Sequence, residues 1–181
     1  MSQPKVGNFE SLSKLLAYPS EDVKEQAEEC HKKFMAIDTP AASAVNEFKD
    51  FTQSSTVSDM QELYTRTFEI NPLCALEVGW QLFGERYERG TFIVKMRQTL
   101  RDLKLPESTE LPDHLVHVLQ ALDKLQPEEA GEFANLFIVP AVDKMIDGFK
   151  DKENIYRNIL SGIVSEVRER YNLPKQGASN D

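Results

Sequence analysis

Glu110-Leu-Pro-Asp-His114 places two carboxylates and an imidazole within five residues, and a second imidazole, His117, follows three positions on. Such a set supports three kinds of work. On a helix, His114 and His117 share one face and can ligate a metal ion, with the carboxylates as further ligands or proton carriers. The carboxylates can instead receive cationic groups of a partner. The plainest use is structural. Acidic groups favour the positive end of a helix, so Glu110 and Asp113 can cap one that starts at Pro112, with His114 capping or orienting the turn and His117 at the surface or its boundary. Beyond these two histidines the chain has only His31, and no cysteine lies near, so a metal site would draw on distant carboxylates.

Other residue sets are less specific. Gly79, Gly84 and Gly90 are not at phosphate-loop spacing, and there is no HExxH. Trp80, Phe83 and Tyr87, at spacings of three and four, form either a recognition surface or part of a core. Glu128, Glu129 and Glu132 read as first-turn acids behind Pro127. Cys30 and Cys74 make no CxxC pair and no disulfide framework.

The elements that position these residues are helical throughout. Asn8 can cap a helix carrying Phe9, Leu12, Leu15 and Leu16, stopped at Tyr18-Pro19. Ser20 can cap a second, with Val23, Ala27, Cys30, Phe34 and Ile37 on one stripe. Pro40 opens a third, with Ala44, Val45, Phe48 and Phe51 inward. Ser58 begins a fourth, with Met60, Leu63, Tyr64 and Phe68 inward, ended by Asn71-Pro72. Short pieces then lead into a helix from about Glu88 to Leu103, with Phe92, Ile93, Met96 and Leu100 facing in. Leu115, Val118, Leu119, Leu122 and Leu125 follow Pro112. Pro127 starts a helix with Phe133, Leu136, Phe137, Met145 and Phe149, kinked at Pro140. The last runs from about Lys152 to Tyr171. The expected fold is all-α: one helical bundle domain of seven to nine helices over 1–172, and a disordered tail over 173–181.

Composition excludes several functions. The chain has 181 residues and a net charge of −9, and acidic residues outnumber basic ones in each third of it. Without a basic patch, nucleic acid and anionic membranes are disfavoured partners. No stretch is apolar enough to span a bilayer and no secretory signal opens the chain, so a cytoplasmic location is expected.

Three stretches occur in an order and setting that resemble the TorD/DmsD/NarJ family of molybdoenzyme assembly chaperones. They are Tyr64-Thr-Arg-Thr-Phe68, Glu77-Val-Gly-Trp-Gln-Leu-Phe-Gly-Glu-Arg-Tyr-Glu-Arg-Gly90, and Glu110-Leu-Pro-Asp-His-Leu115. The family's Glu-x-Pro-Asp-His segment is matched by Glu110, Pro112, Asp113 and His114. Its aromatic-x-x-Leu-Phe segment is matched by Tyr64 and Phe68, with Thr67 in place of leucine. The resemblance is nearest to NarJ-like chaperones of nitrate reductase-type enzymes of the DMSO reductase family.

The resemblance implies a non-catalytic chaperone, monomeric or homodimeric, that binds the N-terminal segment of a molybdoenzyme catalytic subunit. It would assist insertion of the bis-pterin guanine dinucleotide molybdenum cofactor before export or complex formation, without holding the cofactor stably. The residues expected to meet the client are Tyr64, Phe68, Trp80, Phe83, Tyr87, Glu110, Pro112, Asp113 and His114. A metal-dependent hydrolase on Glu110, Asp113, His114 and His117, or a helical adaptor with no molybdoenzyme client, are the competing readings. Metal analysis and gene neighbourhood separate them.

Overall fold

The computed structural model describes residues 8–175, and these form an all-α bundle. The helices are α1 (Phe9–Leu15), α2 (Val23–Met35), α3 (Pro40–Gln53), α4 (Val57–Tyr64), α5 (Val78–Phe83), α6 (Tyr87–Asp102), α7 (Leu115–Leu122), α8 (Pro127–Phe133), α9 (Val139–Asp147) and α10 (Ile155–Arg170). α8 runs into α9 through a π-turn, Ala134–Ile138, without a break. Counted so, the described residues hold nine continuous helices, within the expected range. Of the expected tail, residues 176–181 lie outside the described residues.

The apolar stripes fold as their period requires. Phe9, Leu12, Leu15 and Leu16 are buried, and α1 packs on α7. Val23, Ala27, Cys30 and Phe34 of α2 meet α3, which also packs along α10. Burial pushes the Cys30 thiol up to about 12, in keeping with a core residue. Two stripes end earlier than expected, since Ile37 and Phe51 are exposed, and Leu136 is exposed within a stripe that continues to the buried Met145 and Phe149.

Several starts also differ. Asp22, not Ser20, precedes α2, and Ser20 Oγ accepts from the Asp22 amide. Thr56 opens α4 with a capping box. Its hydroxyl accepts from the Asp59 amide and the Asp59 carboxylate accepts from the Thr56 amide. α10 begins at Ile155 under Asn154, whose Oδ1 accepts from the Tyr156 amide. At Pro140 the chain widens instead of merely kinking. Proline brings no N–H, and the π-turn before it carries a longer bond, Val139 N–H donating to Ala134 O.

A second π-turn, Thr65–Glu69, continues α4 and closes with Ile70 N–H donating to Thr65 O at 3.1 Å. Here the sequence stops at Asn71-Pro72, and a short 3-10 turn follows, Pro72–Cys74. Among the described residues no helix is long and apolar enough to cross a membrane.

Candidate functional site

The Glu110–Leu115 stretch does not start a helix at Pro112. Pro112 and Asp113 lie buried in a turn, and α7 starts at Leu115 with His114 as its cap. His114 Nδ1 accepts from the Val116 amide at 3.2 Å. A ring nitrogen thus does the task that a serine or aspartate usually does.

Asp113 caps a different helix. Its Oδ2 accepts from the Gly79 amide at 3.1 Å, in the first turn of α5. The backbone locks the same contact: Val78 N–H donates to Asp113 O and Leu115 N–H to Leu76 O, each at 2.8 Å. Glu77 and His114 therefore form an antiparallel bridge. Two of the three stretches singled out in the sequence are stitched together here. Asp113 is 0% exposed, and the Arg89 guanidinium of α6 stands 3.7 Å away. Burial raises the Asp113 carboxyl above its ordinary range, against the lowering pull of Arg89.

The bridge forms one side of a cleft of about 270 Å³. Its lining is Tyr64 and Phe68, Glu69 from the π-turn, Ala75, Leu76 and Glu77 from the segment that carries the bridge, and Glu110 and His114. Tyr64 and Phe68 meet edge to face at 5.0 Å, and both pack on Tyr156 of α10. The Tyr64 hydroxyl donates to Leu16 O at 2.9 Å, which ties this wall to the end of α1. Thr67, at the family's leucine position, accepts from Asn154 Nδ2 at 2.9 Å and so joins the π-turn to the α10 cap.

Electrostatically the cleft is one-sided. Glu69, Glu77 and Glu110 line it, and no lysine or arginine among the described residues does. Burial, then Glu77 and Glu69, raise the Glu110 carboxyl; burial and these three glutamates also raise the Tyr64 phenol. His114 is 4% exposed and burial pushes its ring down to about 4, so it is neutral at pH 7. With Nδ1 accepting, the neutral ring carries its proton on Nε2. That atom lies 4.0 Å from Glu110 Oε2, too far for a hydrogen bond.

Of the residues expected to meet a client, Tyr64, Phe68, Glu110 and His114 converge on the cleft, and Pro112 and Asp113 lie buried behind it. Trp80, Phe83 and Tyr87 do not line it. Trp80 Nε1 donates to Pro72 O, Phe83 packs on Phe92, and Tyr87 is 88% exposed at the start of α6. Sequence reading missed Glu69, Glu77, Ala75 and Leu76 as cleft residues. The available signal was that Glu69 follows Phe68 directly and Glu77 opens the second family-like stretch.

His117, expected at the surface or its boundary, is buried, because α7 turns it inward, where its Nε2 lies 2.9 Å from Ser108 Oγ. His114 Nδ1 is held by the backbone and His117 Nε2 lies beside Ser108 Oγ, so one nitrogen of each imidazole is already engaged. No group of three or more His, Cys, Asp or Glu among the described residues is placed to hold a metal ion.

No curated protein matches the chain. A family model described as nitrate reductase delta subunit matches residues 35–151, which takes in the cleft and all three family-like stretches. The chain belongs to the nitrate reductase delta subunit family.

Proposed function

We propose that this protein is a cytoplasmic assembly chaperone for a nitrate reductase-type molybdoenzyme. It binds the N-terminal segment of the catalytic subunit, keeps that subunit open for insertion of the bis-pterin guanine dinucleotide molybdenum cofactor, and leaves before export or complex formation. It performs no catalysis itself. Family membership supports the general role. The observation that carries the finer reading is the cleft: the family-like segments around Tyr64, Glu77 and Glu110 meet there and leave an anionic, aromatic-walled recess open to a partner. Apolar walls supply contact area, and uncompensated carboxylates supply steering and selectivity for a cationic segment.

The test is co-expression with the catalytic subunit encoded nearest in its genome. Co-purification with that subunit, lost on deleting its first residues, is the expected result, together with a fall in molybdenum content of the enzyme when the chaperone is absent. A subunit that neither binds nor needs the protein for molybdenum loading overturns the reading.

A further inference from the structure

The outer face of α6 carries charge of the opposite sign to the chain as a whole. Of the seven lysines and arginines between residues 61 and 120, six lie between Arg86 and Lys104, where only Glu85, Glu88 and Asp102 oppose them. Averaged over that third of the chain the surplus disappears; around α6 it is concentrated. Phe92, Met96 and Leu100 of this helix are buried in the core. Opposite them, at spacings of four and three, run Tyr87, Thr91, Val94, Gln98 and Arg101, all exposed. Tyr87 is 88% and Val94 67% exposed. At about 100° per residue, Arg97 flanks this stripe on one side, and Glu88, Lys95 and Asp102 flank it on the other. Asp102 is engaged by Gln98 Nε2 at 2.7 Å, and Arg101 pairs with Glu107 at 3.2 Å. Lys95 and Arg97 are exposed and make no hydrogen bond or ion pair among the described residues.

Gly90 gives a second, independent observation. Its φ is not left-handed, and a Cβ there would meet nothing within 4 Å, so neither the backbone nor the packing of the described residues calls for glycine. Glycine weakens a helix interior relative to alanine. Its effect here is to lower the helix surface. Tyr87, Gly90, Thr91 and Val94, at i, i+3, i+4 and i+7, outline a hole whose middle is bare backbone and one short side chain. Holes of this outline receive a large apolar side chain from a neighbouring helix.

We propose that the outer face of α6 docks an acidic amphipathic helix of a partner protein: one large apolar side chain seats in the hole between Tyr87 and Val94, and carboxylates beside it meet Lys95, Arg97 and Arg101. Charge decides the occupant. A second copy of this chain would bring the same positive segment to the contact, and like charges across an interface are costly. A phosphate backbone is opposed by the interleaved Glu85, Glu88 and Asp102 and by the net charge of −9. An acidic helix satisfies both the hole and the free cations. None of these residues lines the cleft, so the docking does not depend on what the cleft binds.

The experiment uses the full chain, isotope-labelled, titrated with a monomeric designed helix about three heptads long, leucine on one face and glutamates beside it, and with a counterpart carrying lysines in place of the glutamates. Saturable amide shifts centred on Tyr87, Gly90, Val94 and Arg97 are expected for the acidic helix, at least about ten-fold weaker at these amides for the basic one, and reduced by added salt. Gly90→Leu fills the hole and should cut acidic-helix binding about ten-fold or more. Its melting temperature should stay level or rise, because leucine is the better helix former and the position is open. Arg97→Glu should weaken binding about five-fold or more and flatten the salt dependence. If Arg97→Glu fails to fold, Gly90→Leu and the comparison of the two helices on the unaltered protein still decide. Equal binding of the two helices at this face, shifts confined to other surfaces, no saturable shift with either, or full binding by Gly90→Leu overturns the proposal. Duplex DNA that shifts the same amides more strongly than the acidic helix gives the face to nucleic acid and overturns it. Sedimentation that finds a dimer dissolved by Gly90→Leu gives the face to a second copy, with the same consequence.

Discussion

Gly79 and Asp113 occupy one another's space. A Cβ built on Gly79 would lie 2.6 Å from Asp113 Oδ2, and the same oxygen accepts from the Gly79 amide. The absent side chain lets the carboxylate reach the first turn of α5, and this contact sets the depth at which the Glu110–His114 turn sits against Glu77. Gly79→Ala should cost about 1–3 kcal/mol through overpacking. Phe92 and Arg89 crowd the same position and leave little room for relief. Urea denaturation of the variant measures the loss; an unchanged midpoint would show that the contact is not tight.

Asp113 and Arg89 should be coupled more strongly than a surface ion pair. Asp113→Ala strips the Gly79 amide of its acceptor and Arg89 of its counter-charge in a mostly buried setting. A loss of about 2–4 kcal/mol is expected, more than a simple helix cap is worth. Asp113→Asn keeps an acceptor for Gly79 and should lose less. A double-mutant cycle with Arg89→Met should return a coupling of at least about 0.5 kcal/mol. Additive effects would place Arg89 outside the contact.

Acid should weaken the fold through His114. Its folded pKa is depressed from 6.5 to about 4, so its contribution is fully present above about 6.5 and is lost as pH falls toward 4, when the unfolded chain takes up the proton first. The full loss is up to about 3 kcal/mol. Glu110 and Asp113 have raised values and act in the opposite sense in acid, offsetting part of it. His114→Gln should flatten the fall in stability between pH 6.5 and 4 relative to the unaltered protein. Parallel stability curves for the two would place the acid sensitivity elsewhere.

The Thr67–Asn154 bond predicts a graded pair of effects. Thr67→Val removes only the hydroxyl and should cost about 1 kcal/mol. Asn154→Ala removes that bond and the α10 cap together and should cost about 1–2 kcal/mol or slightly more. Thermal melts of both variants check the order, and a larger loss for Thr67→Val reverses it.

Tyr87 separates surface from site. At 88% exposure, Tyr87→Ala should change stability by no more than about 0.5 kcal/mol and leave client affinity unaltered. Phe68→Ala, which removes a ring packed on Tyr64, Tyr156 and Phe149, should cost about 3–5 kcal/mol. Calorimetry with the client peptide decides whether Tyr87 takes part in binding.

The helices were legible because burial imposes a 3.6-residue period that residues such as Leu12, Phe34, Phe48 and Ile159 follow. The start of α7 was not. Pro112 carries the ordinary signal of a first helical residue, and only the tertiary bridge between Glu77 and His114 moves the start to Leu115. The π-turns were illegible for a related reason. A one-residue widening leaves the apolar pattern almost intact while turning Glu69 toward the cleft. Half of the cleft was readable from Tyr64, Phe68, Glu110 and His114. Of the other half, Glu69 is turned in by the π-turn, and Ala75, Leu76 and Glu77 depend on pairing with a segment more than thirty residues on, which local pattern does not encode.

The wall of the cleft is finished from the far end of the chain. Tyr156 and the Asn154 cap belong to the last helix, yet they back Tyr64, Phe68 and Thr67, and the Arg170 guanidinium in that helix's final turn lies over the Phe9 ring at 4.7 Å. On a ribosome, the segments around Tyr64, Glu77 and His114 emerge well before α10 does. A nascent chain thus has the carboxylates before it has their backing, and the cleft is complete only once α10 has emerged and packed.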